Sequence, residues 1–162
     1  MQPGERGELC VKGPQVFSGY WERPEESAKV FTEDGWFRTG DIVTMDSNGF
    51  LYVVDRLKDM ILVSGFNVYP NEIEAVVAMM PSVLECACIG EPDERSGEVP
   101  HLFVVPRDKT VTAAQVEAHC RINLTAYKRP RRISFVDALP KSPVGKILRK
   151  ELRILRQPVM SA

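Results

Sequence analysis

Four short stretches carry side chains that could act on an anionic or hydroxylated ligand. Lys146 follows Gly145 in the Pro- and Gly-containing loop 140–145, just before a short helical pattern. A lysine so placed is mobile, and its compact ammonium charge can stand between two anions and offset their repulsion. By composition alone the favoured reading is one more charge of a basic block. Asp41 follows the turn Thr39-Gly40; a carboxylate there can accept two hydrogen bonds from a ribose diol, or cap its own turn. Arg56 ends a β-type run. Its planar guanidinium can reach ribose and phosphate oxygens together, or pair with the adjacent Asp55 or Asp59. In Ser64-Gly65-Phe66, the missing Cβ of Gly65 lets a ligand approach the backbone, or simply closes a hairpin.

The elements that must position these residues follow from spacing and turn chemistry. Residues 1–55 read as short strands between turns at Asp34-Gly35, Thr39-Gly40-Asp41 and Asn48-Gly49, with a short helix from Pro24 to about Phe31 and a strand Leu51–Val54. Such a segment, without a covering helix, makes a poor domain by itself. After residue 58 the pattern changes. Met60–Val63 predicts a strand and 64–67 a turn. A helix follows from Pro70, with Ile73, Val76, Val77 and Met80 on one face, Glu72 and Glu74 at its positive end, and Pro81 as its stop. Val83–Ile89 and Pro100–Val105 read as strands around a charged loop 91–98. Thr112 and Gln115 form a capping box for a helix to about Leu124. Arg132–Val136 reads as a strand and 147–155 as a last helix. The order predicts a small α+β domain with helices on one face of a sheet.

Composition sets outer bounds. The 162 residues suit one ordinary domain, or a small domain plus a piece of another. No apolar run approaches the ~18 residues of a membrane span, and the first twenty residues lack the apolar centre of a signal peptide, so a cytoplasmic protein without an integral membrane segment is expected. Cys86 and Cys88 share a strand face, and their surroundings predict buried thiols rather than a metal site. From Arg121 to Arg156, eleven Lys and Arg stand against Asp137 and Glu151, a net of +9, while the rest of the chain carries −10. Such a block suits phosphates or an acidic partner surface. A nucleic-acid or other polyanion-binding module would want interleaved aromatics, and only Tyr127 and Phe135 lie in it; no nucleic-acid partner is expected.

Several motifs then stand in one order: Gly7-Glu8-Leu9; Gly35-Trp36-Phe37-Arg38-Thr39-Gly40-Asp41; Asp55-Arg56-Leu57-Lys58-Asp59; Gly65, Pro70 and Glu72-Ile73-Glu74; Tyr127 and Pro130; and the run 140–149 with Gly145-Lys146 at its centre. Together they resemble the adenylate-forming superfamily of acyl-CoA synthetases, luciferases and peptide-synthetase adenylation domains. The resemblance covers about Gly7 to Arg153. The wording of 62–74 is most similar to bacterial long-chain fatty-acyl-CoA ligases.

The resemblance implies an α+β architecture in parts. Residues 1–57 would end the β-rich subdomain of a large N-terminal domain, 58–156 would be a small α+β C-terminal lid, and 157–162 a frayed tail. It implies a two-step reaction: a fatty acid and ATP give acyl-adenylate and pyrophosphate, then CoA gives acyl-CoA and AMP. By the same resemblance Asp41 and Arg56 contact the nucleotide, Lys58 is the hinge of the lid, Ser64, Gly65 and Phe66 line the CoA tunnel, and Lys146 is catalytic in adenylation. Phe66 stands where many relatives have a second Gly, and Leu62 where some have Lys. The Gly-rich phosphate loop, the Mg2+ site and the acyl pocket would lie upstream, so the chain alone is expected to be inactive. The resemblance allows peripheral membrane association of the parent. A carrier protein in place of CoA is the alternative acceptor.

Overall fold

The computed structural model describes residues 2–108 and 110–155. The expected tail 157–162, and the expected end of the lid at 156, lie outside the described residues. The chain divides into two compact units, one running to Lys58 and one starting at Asp59.

The first unit is an antiparallel sheet in the order β1 (Arg6–Val11), β2 (Phe37–Met45), β3 (Leu51–Arg56). The β2–β3 turn is the one Asn48-Gly49 predicts. Asp46 Oδ1 accepts the backbone N–H groups of Asn48 and Phe50, each at 2.9 Å. Helix α1 (Pro24–Val30) starts with proline, where no N–H donor is needed. Phe17, Phe31 and Phe37 cluster with ring centroids 5.0–5.8 Å apart. Among the described residues of this unit only Ile42 and Val43 are buried hydrophobics, while Leu51, Tyr52 and Val53 of β3 are exposed. So small a core offsets little of the chain entropy lost on folding.

The second unit runs β4 (Ile61–Val63), β5 (Phe66–Val68), α2 (Pro70–Ala78), β6 (Val83–Asp93), β7 (Gly97–Pro106), α3 (Ala113–Asn123), β8 (Arg132–Phe135), α4 (Arg149–Leu155). The sheet order is β5-β4-β7-β6, with β8 parallel to β7. The expected charged loop 91–98 is mostly strand: β6 continues to Asp93 and β7 begins at Gly97. Asp93 Oδ1 closes the turn by accepting the N–H groups of Arg95 and Ser96 at 3.0 and 2.8 Å. Those bonds hold its carboxyl below the usual range. Helix α3 opens on the predicted capping box, Thr112 with Gln115.

Alternation along β6 and β7 builds two cores. Cys86, Cys88, Leu102 and Val104 face Ile73 and Val77 of α2 and Val116 and Cys120 of α3. Ala87, Ile89, Phe103 and Val105 face Leu139 and Leu152, the latter on α4. The expectation of helices on one face is therefore corrected: α2 and α3 cover one face and α4 the other. The apolar run from Val83 to Ile89 has this cause, since a strand covered on both faces loses its polar alternation. No helix among the described residues is long and apolar enough to cross a membrane.

Burial pushes the Cys86 thiol up to about 12, the Cys120 thiol up to about 11, and that of Cys88 well above the ordinary 9.0. The unfolded thiols ionise near 9.0 while the folded ones keep their protons. This contribution to stability is complete below pH 9 and is lost as pH rises through the folded values. Urea unfolding from pH 8 to 11.5 should show stability falling, with a smaller fall in Cys86→Ala. An identical pH slope in the variant would contradict the burial argument.

Candidate functional site

Asp41 and Arg56 are brought together by the sheet. They are register partners on β2 and β3, and Arg56 Nε donates to Asp41 Oδ1 at 2.8 Å. Gly40 allows the turn into this position with φ +71°. Thr39 fixes it, donating its hydroxyl to the Leu9 carbonyl at 2.9 Å and accepting the Asp41 N–H at 3.1 Å. The neighbours that sequence offered Arg56 are used otherwise. Asp55 Oδ1 accepts the Arg56 backbone N–H, and Asp59 pairs with Arg153 at 3.1 Å. The Arg56 side chain is more than half exposed, so its pair with Asp41 adds little stability. Asp41 Oδ2 and the terminal guanidinium nitrogens face no described partner, the arrangement a diol or phosphate oxygen needs.

Lys58 lies in a 3-10 turn, Leu57–Asp59, and is exposed. It is the last residue of the first unit. Ser64-Gly65 is the two-residue turn of the β4–β5 hairpin, with Val63 opposite Phe66. Ser64 has φ +49° and Gly65 φ +85°, the pattern of a primed hairpin turn. Phe66 and Asn67 belong to β5, so the expected four-residue turn is corrected to two. Phe66 is exposed and stacks on Tyr127, with centroids 4.7 Å apart and planes at 21°.

Lys146 sits near the tip of a small closed loop. Lys141 bridges Ile147. Ser142 N–H donates to the Lys146 carbonyl at 2.8 Å, Gly145 N–H to the Ser142 carbonyl at 2.9 Å, and Leu148 N–H to the Pro140 carbonyl at 2.8 Å. Gly145 has φ +79°. The Lys146 side chain is exposed, and no described residue bonds its ammonium.

Most of the basic block is spoken for. Lys128 pairs with Glu72 at 2.8 Å, Arg132 with Glu91 at 2.7 Å, Lys141 with Glu85, and Arg149 with Glu74 at 2.7 Å. Arg153 holds Asp59, and Arg129 donates to the Leu124 and Arg121 carbonyls at 3.0 and 3.2 Å. These pairs tie separate elements of the second unit together. Arg121 and Arg131 remain beside an open cavity of about 420 Å³. Sequence reasoning placed Glu72 and Glu74 at a helix end and did not find these partners, because the partners lie more than fifty residues away in the chain.

Residues 72–146 match the family model of the AMP-binding enzyme C-terminal domain. The chain is 60% identical over 150 residues to a long-chain-fatty-acid--CoA ligase of Yersinia pestis, covering 93% of this chain and 26% of that protein. It is 57% identical over 151 residues to the ligase of the same name from Escherichia coli, covering 93% and 27%. The ATP-bound crystal structure of MatB from Rhodopseudomonas palustris superposes with a TM-score of 0.92 at 38% identity, covering 99% of this chain and 32% of that one. The chain thus spans about a quarter of the length of the curated relatives it matches.

A Cβ on Gly65 would meet nothing within 4 Å, so this position selects glycine by its dihedral rather than by crowding. Gly65→Val should therefore cost about 1–2 kcal/mol in urea unfolding, and Gly65→Asn much less. Equal losses for both would refute the dihedral argument.

Proposed function

Because this chain belongs to the adenylate-forming enzymes, we propose that it is the C-terminal part of an ATP-dependent fatty-acid:CoA ligase, with Lys146 as its catalytic cation. The observation that carries this reading is Lys146 itself. Lys128, Arg132, Lys141, Arg149 and Arg153 of the same block are held by carboxylates, whereas the Lys146 ammonium, at the end of a turn tip, is exposed and, like that of Lys150, unbonded among the described residues.

In the first step a carboxylate oxygen attacks the α-phosphorus of ATP and pyrophosphate leaves. Both reactants are anions, and negative charge builds on the phosphoryl oxygens at the transition state. An ammonium between them offsets the repulsion and stabilises that charge without itself bonding covalently. Asp41 would accept the ribose hydroxyls, and Arg56, already oriented by Asp41, would donate to ribose and phosphate oxygens. In the second step the CoA thiol attacks the acyl carbon and AMP leaves. The break between compact units after Lys58 supports a swing there between the steps. That swing would withdraw Lys146 and present the Ser64-Gly65 turn, whose lack of side-chain bulk suits a narrow pantetheine channel. Phe66, stacked on Tyr127, would form a wall of that channel. Arg121 and Arg131 leave cationic surface for CoA phosphates. Among the described residues no group of three or more His, Cys, Asp or Glu could hold a metal, and no step here runs through Mg2+.

The test separates the half-reactions in the full-length ligase. Lys146→Ala should lower acyl-adenylate formation on the order of 10²–10³-fold. Acyl-CoA formation from supplied acyl-adenylate should largely survive. Equal loss in both half-reactions would remove the assigned role.

A further inference from the structure

The loop bearing Lys146 has two feet, and each ends on a cation held by a carboxylate of another element. Lys141, at the first foot, pairs with Glu85 of β6. Arg149, at the second, donates through Nη2 to both oxygens of Glu74 on α2, at 2.7 and 2.8 Å. Arg149 also reaches Asn71 Oδ1 at 3.1 Å and, through Nε, the Cys88 carbonyl at 3.4 Å. Glu74 Oε1 accepts the Cys88 N–H at 2.7 Å. Between the feet, the tip residues Pro143, Val144, Gly145 and Lys146 are exposed.

Stability alone does not account for these pairs. Arg149 is the first residue of α4, where the helix dipole disfavours a cation. A local rule broken in this way points to a compensating function. The Lys141–Glu85 pair is more than a third exposed on both sides, where an ion pair adds little stability. What the pairs share is geometry: one ties the base of the loop to β6 and the other ties it to α2.

We propose that Lys141–Glu85 and Arg149–Glu74 form a positioning clamp that fixes the base of the Lys146 loop and so places the ammonium for adenylation. This rests on the role given to Lys146 above. Glu74 and Glu85 touch no substrate in this account; they act through the loop. A displacement of about 1 Å at a reacting group can cost on the order of 10²-fold in rate, so even a partial release of the clamp is measurable.

The experiment compares Glu85→Gln, Glu74→Gln, the double swap Glu85→Lys with Lys141→Glu, and Lys146→Ala in the full-length ligase. Single-turnover acyl-adenylate formation and acyl-CoA formation from supplied acyl-adenylate are measured separately. Glu85→Gln and Glu74→Gln should slow the first by about tenfold or more and leave the second within roughly twofold. The swap should recover most of the loss, which a purely structural disturbance would not. Because Glu74 is mostly buried, its variant can loosen the fold; the Glu85 pair and its swap give the independent reading. Equal loss in both half-reactions for Glu85→Gln, no loss in either, or no recovery in the swap overturns the clamp. If Lys146→Ala leaves adenylation unchanged, the proposed role of Lys146 has failed. If it blocks adenylation while both glutamate variants do not, the clamp alone has failed.

Discussion

A strand at the edge of a sheet leaves backbone N–H and C=O groups facing no neighbour. Among the described residues β6 pairs only with β7. At Cys88 its outer edge is met by an ion pair instead of another strand: Glu74 takes the N–H and Arg149 the carbonyl. The two side chains then bond each other. One part-buried cluster thereby meets the sheet edge, ties α2 to it over one face, and starts α4 on its way to the other. Removing either partner would leave the other's charge part-buried without its counter-ion. The path of the chain from β8 through the Lys146 loop into α4 depends on this contact.

Much of this was legible beforehand because it is local. The turn at Asn48-Gly49, the start of α2 at Pro70 and the capping box of Thr112 and Gln115 are each decided by neighbouring residues. The order of elements after residue 58 followed from them. What was not legible is what depends on distant partners. The strands β6 and β7 were read too short, because Glu91, Asp93 and Glu98 look like loop residues until the hairpin that carries them is formed. The second covered face was missed because one short helix, through Leu152, supplies it.

The candidate site divides the same way. Asp41, Arg56, Gly65 and Lys146 were singled out by residue type and turn context together with the family resemblance, and the roles given to them are proposals. The structure adds that Asp41 and Arg56 are direct partners, since a bulged β2–β3 pairing sets them opposite each other. Glu74 and Glu85 were legible only as charges. Their work becomes visible once the sheet brings residues 74 and 85 to residues 149 and 141. Five of the eleven basic residues of the segment carrying +9 pair with carboxylates that precede it in the chain, pairings that net charge alone does not reveal.

The role proposed for Lys146 is electrostatic: the positive charge at the loop tip, rather than the bulk or length of that side chain, would be what adenylation requires. Replacing Lys146 with Gln removes the charge and keeps most of the length, whereas Arg keeps the charge. The decisive measurement is the single-turnover rate of acyl-adenylate formation in the full-length ligase for these two variants. The account predicts that Gln lowers the rate on the order of 10²-fold or more and that Arg retains a clearly larger share of it. A Gln variant that forms the adenylate at the unaltered rate would contradict it.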